Sequence, residues 1–307
     1  MSFNKIFVLG AGAIGSTYGA LLSRKHDVTL IGSRKHVETI RAKGLSLSGS
    51  VNETFQVNAD TKIRGMPENS MIILSTKAYD TEKTIKENNE LIKEDTVILI
   101  IQNGLGNEDV VKKTVRGSPK ILRAITTTAA EFLESGNVKF WKGFTIMKKE
   151  EATKRIAKIF NDCGIKTKLS NKFKEEIWKK LIVNCIVNPL TALLRVRNCE
   201  ILADSLKEVR HNIFLEGIKV GEAEGTSLSP SLEATINKKL SSYTNLSSMY
   251  QDIMKGKQTE IDFLNNKIVE LGRKNSIPTP VNETVTSLIK FMEEQNGVSR
   301  RDQAEER

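Results

Sequence analysis

Along the first half of the chain, short apolar runs alternate with amphipathic stretches. KIFVLG, DVTLIG, MIILST, TVILIIQ, KILRAITTTA, NVKFW and FTIMKK, all between residues 5 and 148, read as β-strands. Several are rich in Val and Ile, as strands covered on both faces must be. Helical period fills the gaps near residues 13–25, 35–43, 80–93 and 107–114. This alternation predicts a mainly parallel, doubly wound α/β sheet of Rossmann type. EEATKRIAKIFNDCG then predicts an amphipathic helix with Ile156, Ile159 and Phe160 on one side and Gly164 as its stop. From about 172 to 293 nearly every segment has helical period. The pattern therefore divides the chain into an α/β domain, 1–169, and an all-helical domain, 170–307. The polar tail EEQNGVSRRDQAEER is expected to fray or to carry the last helix into solvent.

Composition narrows the class. A chain of 307 residues, 39% apolar and 27% charged, suits two globular domains rather than a disordered or fibrous protein. The longest apolar stretch, LIVNCIVNPLTALL at 181–194, holds two Asn and a Pro and is too short for a bilayer, so no membrane span is expected. The N-terminus runs directly into a strand without a signal-peptide pattern, so secretion is not expected. Cys163, Cys185 and Cys199 are widely spaced and form no CxxC, which fits reduced thiols in a cytoplasm. His26, His36 and His211 are not at ligand spacing, and no metal is expected. The formal charge of +10 would suit an anionic partner. Its Lys and Arg residues are mixed with acids, as in KKEEATKRIAK, which reads as a solvated surface and not a nucleic-acid face.

The chemistry begins at GAGAIG, residues 10–15. Gly10, Gly12 and Gly15 stand between a strand and a helix, spaced for a tight turn, close approach of backbone to a pyrophosphate, and helix–strand contact. The backbone of Ala11, Ala13 and Ile14 completes the turn, and the helix N-terminus offers free N–H groups to phosphate. After the second strand, where NAD recognition usually places a carboxylate, the chain reads Ser33, Arg34, Lys35, His36. Arg34 can meet a 2′-phosphate with two hydrogen bonds and Ser33 can add one, so NADP(H) is the expected cofactor. The alternative is a basic cluster that is merely solvated. Lys77 in STKAYD and Asn103 in QNGLGNED follow strand ends, where ligands bind in such sheets, although either could be a surface or turn residue.

In the helical half, Lys180, Asn184 and Asn188 recur every four residues and share one stripe of an otherwise apolar helix. Buried there, they need partners. A ligand would provide them; so would a polar network between helices, with Pro189 removing a backbone donor. In NLSSMYQDIMKGKQTEID, Ser248 and Asp252 can share a face, Gly256 can end that helix, and Thr259 can cap the next with Glu260 in its first turn. Capping explains Thr259 and Asp262 without a ligand and leaves Ser248 and Glu260 open to one.

GAGAIG, STKAYD, QNGLGNE, WKKLIVNCIVNPLTAL and SSMYQDIMKGKQTEID together resemble the ketopantoate reductase family, 2-dehydropantoate 2-reductases, over nearly the whole chain. The resemblance implies NADPH as hydride donor to C2 of a small 2-oxo acid, (R)-pantoate as product, and Lys180 as the general acid on the C2 oxygen. It implies Glu260 on the substrate's terminal hydroxyl, Asn184 and Asn188 on its polar atoms, and Ser248 on its carboxylate. Asn103 would bridge cofactor and substrate, Lys77 and Glu260 would lie towards the cofactor, and Arg34 would take the 2′-phosphate. A homodimer through the helical domain is compatible with it. A reductase of another branched 2-oxo acid and a non-catalytic NADP(H) sensor are the alternatives.

Overall fold

The computed structural model describes residues 3–229 and 231–297; the tail expected beyond Gly297 lies outside the described residues. Its strands are β1 (Lys5–Leu9), β2 (Val28–Ile31), β3 (Leu45–Gly49), β4 (Glu53–Phe55), β5 (Asn58–Asp60), β6 (Ser70–Leu74), β7 (Val97–Ile100), β8 (Lys120–Thr126), β9 (Ala129–Glu134), β10 (Asn137–Trp141), β11 (Thr145–Lys148) and β12 (Thr167–Ser170). Its α-helices are α1 (Ala13–Leu22), α2 (Arg34–Lys43), α3 (Thr81–Asn88), α4 (Asn107–Thr114), α5 (Glu151–Asp162), α6 (Phe173–Leu194), α7 (Lys207–Ala223), α8 (Leu232–Leu240), α9 (Ser248–Met254), α10 (Asn265–Lys274) and α11 (Pro280–Gln295).

The chain folds as two compact units, Met1–Gln102 with Gly106–Phe173, and Asn103–Leu105 with Lys174–Arg307. The first is built on a mainly parallel eight-stranded sheet in the order β12-β11-β8-β7-β6-β1-β2-β5, in which β11 runs antiparallel to β8. A strand order that places β6 and β2 on either side of β1 creates the switch point where such sheets bind ligands, at the end of β1. Ile6 and Val8 face one apolar cluster with Tyr18 and Leu22 of α1, while Phe7 and Leu9 face another with Ile85 of α3 and Val111 of α4. Both faces are thus buried, which is why the strand is apolar throughout. A second sheet, β4-β3-β10-β9, was not expected. β10 is the expected strand NVKFW; β3, LSLSG, alternates Leu and Ser on a strand period that the sequence reading missed, and β4, ETF, is only three residues long.

The second unit is helical and wrapped on α6. Leu181, Ile182, Cys185, Ile186 and Leu190 of α6 share a core with Ile213 and Phe214 of α7, Ile268 of α10 and Ile289 of α11. Gly217 and Gly221 let α7 approach: a Cβ on either would lie 3.0 Å from Ile182 or Trp178. The helix begins at Phe173 rather than at the start of its apolar stretch, and its 22 residues are by length and hydropathy enough to cross a bilayer. The apolar stretch 181–194 is only part of this helix, and a buried core helix meets the same length and hydropathy test. What accounts for its apolar sequence here is burial among α7, α10 and α11.

Candidate active site

The turn after β1 has the geometry its glycines predict. Gly10 has φ +98°, and a Cβ there would lie 2.5 Å from the Thr76 backbone nitrogen. A Cβ on Gly15 would lie 2.2 Å from the Gly10 carbonyl oxygen. Gly12 differs, since a Cβ there would meet nothing within 4 Å. The first and third glycines close the turn, and the second leaves room for a ligand to approach backbone. No side chain caps α1 and no acid occupies its first turn, so its N-terminal donors are open to an anion.

Gly32 brings the end of β2 against this turn, for a Cβ there would lie 2.8 Å from the Ala11 Cβ. Ser33 then caps α2 in position but makes no side-chain capping bond, and Arg34 is the first residue of that helix. Both are exposed. The Arg34 Nε donates to Glu38 at 2.8 Å, an exposed pair one helical turn along that a phosphate can readily replace. Asp60, in register with Ile31 on the neighbouring strand, is the nearby carboxylate. It accepts from Arg64 at 2.8 Å and Thr61 N at 2.7 Å, which hold its pKa to about 2, and it pairs with Arg41. It is committed to those partners. An uncapped helix, an open Gly12 and exposed Ser33 and Arg34 fit the phosphates of a dinucleotide.

Lys77 follows Thr76, the residue against which Gly10 packs, and lies half-buried at the start of a short 3-10 turn. Sequence reasoning passed over Gln102. Its Nε2 donates to Thr76 O at 2.9 Å and to Thr81 Oγ1 at 2.9 Å, tying the Lys77 loop to the end of β7. The available signal was a polar residue ending an apolar strand.

In the second unit three predicted residues meet. Lys180 Nζ donates to Asn103 Oδ1 at 2.8 Å, and Asn103 Nδ2 faces Glu260 Oε2 at 3.4 Å. The amide is oriented by charge, oxygen to the cation and nitrogen to the carboxylate. Glu260 is 6% exposed and Lys180 half-buried. The 103–105 segment is held here by its own backbone. Leu105 N donates to Phe263 O at 2.9 Å, and Gly104, at φ +82°, passes so close that a Cβ would lie 2.4 Å from that oxygen. The cap falls one residue later than expected: Glu260 holds the N-cap position of the 3-10 turn Ile261–Phe263 without a capping bond of its own, and Thr259 Oγ1, one residue before it, accepts from Ile261 N at 3.2 Å. Glu293 accepts the Thr259 N–H at 2.7 Å, and its burial raises its pKa. Asp262 pairs with Lys290 at 2.7 Å instead of capping.

Asn184 and Asn188 continue the Lys180 stripe along α6. Asn188 is 6% exposed, and neither side-chain amide has a hydrogen-bond partner among the described residues. Thr191 Oγ1, one turn further, donates to Ser247 Oγ at 2.6 Å, and Ser247 caps α9 by accepting from Tyr250 N at 3.1 Å. Ser248, the first residue of α9, is exposed beside that contact. A cation, two amides in need of partners and a carboxylate on one helical scaffold can hold a small polar anion and give its carbonyl oxygen a proton.

Comparison with known proteins shows the family. The family model described as ketopantoate reductase PanE/ApbA matches residues 6–148, and its C-terminal counterpart matches 172–293. The 2-dehydropantoate 2-reductase of Pyrococcus horikoshii is 35% identical, with 96% of this chain and 100% of the relative aligned. The crystal structure of the ketopantoate reductase of Ralstonia eutropha superposes with a TM-score of 0.88 at 28% identity, over 95% of this chain and 99% of the other. A ternary structure of D-mandelate dehydrogenase with NADH and anilino(oxo)acetate superposes at 0.90 with 29% identity, over 96% and 100%. With both of its halves matched and a relative aligned from end to end, the chain belongs to the ketopantoate reductase family.

Proposed function

We propose that this protein is an NADPH-dependent 2-dehydropantoate 2-reductase that converts ketopantoate to (R)-pantoate for pantothenate and coenzyme A synthesis. The contact series Lys180–Asn103–Glu260 carries the reading. The first unit binds the cofactor through residues 10–15, Ser33, Arg34 and Lys77, and the second binds the 2-oxo acid. Bound NADPH supplies the hydride. Lys180 donates a proton to the C2 oxygen as negative charge develops there, an interaction stronger in the transition state than in the ground state. Asn103 orients the ammonium, and Glu260 accepts a hydrogen bond from the substrate's terminal hydroxyl. Asn184 and Asn188 pair their amides with substrate oxygens, and Ser248 binds the carboxylate. Three free cysteines support a cytoplasmic location, and Leu288 and Phe291, exposed on α11, support a homodimer.

The second reading, a reductase of another branched 2-oxo acid, is supported by the likeness to D-mandelate dehydrogenase. Absorbance of reduced cofactor, followed with ketopantoate and with hydroxyl-free analogues, using NADPH and NADH in parallel, separates the two. Rapid NADPH oxidation on ketopantoate is expected, with Lys180→Ala slowing turnover about 10²–10⁴-fold and leaving NADPH affinity unchanged. Equal rates on hydroxyl-free analogues in wild type and in Glu260→Ala favour the second reading. Wild-type turnover in Lys180→Ala removes the acid assignment.

A further inference from the structure

Pro189 lies inside α6, one residue beyond Asn188. A proline has no N–H, so the carbonyl four residues earlier, that of Cys185, loses its helical donor. That carbonyl lies in the buried core of the second unit, where an unpaired acceptor is costly. The structure fills the gap from another helix: Asn265 Nδ2 donates to Cys185 O at 2.9 Å. Asn265 is 0% exposed and is fixed in turn, since its Nδ2 also donates to Asn282 Oδ1 at 3.0 Å. Asn282 Nδ2 donates to Glu216 Oε2 at 2.6 Å, and the Glu216 carboxylate accepts the Val281 and Asn282 backbone N–H groups at 2.9 Å each, closing the N-terminus of α11.

The two ends of this link matter for chemistry. Cys185 adjoins Asn184 and lies between Lys180 and Asn188 on α6. Asn265 opens α10, five residues after Glu260. We infer that Asn265 is a positioning residue for the reaction: by supplying the donor that Pro189 lacks, it sets the α6 stripe against the segment that carries Glu260. The inference rests on the assignment of Lys180 and Glu260 to one substrate site.

The test is a double-mutant cycle on the full-length protein, reading kcat and KM for ketopantoate and, separately, NADPH affinity. Asn265→Ala is expected to lower kcat/KM about tenfold or more and to change NADPH affinity far less, because residues 10–15, Ser33, Arg34 and Lys77, to which the cofactor's phosphates are assigned, are in the other unit. Pro189→Ala returns an N–H to the Cys185 carbonyl. In that background the same Asn265→Ala change is expected to cost less than about threefold, a rescue that general loss of packing would not produce. Asn265→Ser, which keeps a donor on a shorter arm, serves if the alanine variant does not fold, and the same inequality applies. An equal cost in the two backgrounds, or no change in kcat/KM on Asn265→Ala, overturns the positioning role. Lys180→Ala in the same assay separates the two failures. If it retains turnover, the site assignment fails; if it loses turnover while the cycle is additive, the role of Asn265 fails.

Discussion

At the residue scale, the glycine turn shows how one motif serves two purposes. Gly10 and Gly15 are dictated by the fold, because each would drive a Cβ into backbone, whereas Gly12 borders open space. Substitution should separate them. Gly12→Ala is expected to leave the unfolding midpoint within a few degrees of wild type while weakening the proposed NADPH binding at least tenfold, because a methyl group would enter the space proposed for the pyrophosphate. Gly10→Ala combines a positive φ with a 2.5 Å approach to Thr76 N and is expected to lower the midpoint itself. Thermal unfolding with and without NADPH reads both; equal destabilisation by the two substitutions would contradict the division. The same scale explains what was legible beforehand. Lys180, Asn184 and Asn188 announce themselves by polarity on an apolar helix. The contact of Lys180 with Asn103, 77 residues away in sequence, leaves no local mark.

At the element scale, α1 and α2 are joined through His36, which composition alone leaves as an unremarkable basic residue after Arg34. Its ring is 1% exposed, and Nδ1 accepts from Gly136 N at 2.9 Å, between β9 and β10. A backbone N–H can only donate, so the neutral ring carries its proton on Nε2, which donates to Ser16 Oγ at 3.1 Å. The Ser16 hydroxyl in turn donates to Ala11 O at 3.2 Å, inside the glycine turn. Burial lowers the His36 pKa from the ordinary 6.5. The unfolded chain therefore takes up the proton first, and stability present above pH 6.5 is lost as pH falls from there through the lowered native value. Unfolding midpoints between pH 7.5 and about 5.5 should decline more steeply for wild type than for His36→Gln. Parallel slopes would mean that His36 does not carry the effect. The small sheet that supplies Gly136 was the least legible element. β3, β4 and β9 mix polar and apolar residues over short spans, and the partner of β10 in parallel register is β3, far earlier in the chain. The Val- and Ile-rich strands β1, β2, β6 and β7, no longer than β9, were readable because burial on both faces makes them near-continuously apolar, and the amphipathic helices because one-sided burial repeats on the helical period.

At the scale of the whole molecule, the charge of +10 bears on the proposed reaction, whose cofactor and substrate are both anions. Both NADPH and a 2-oxo acid should be drawn in electrostatically, so kcat/KM is expected to fall as ionic strength rises from about 0.02 to 0.2 M, with kcat nearly constant. A salt-independent kcat/KM would show that the charges are too dispersed to steer. The division into units has a different consequence. Three residues, Asn103–Leu105, leave the α/β unit's stretch of chain to join the helical one, so the backbone passes between units after Gln102, after Leu105 and again after Phe173. A fragment beginning at Lys174 would keep Lys180 and Glu260 but lack the amide that touches both. The helical half is therefore not a portable module. Exchange of the helical half at a single crossover would pair the incoming Lys and Glu with an Asn segment from the other parent.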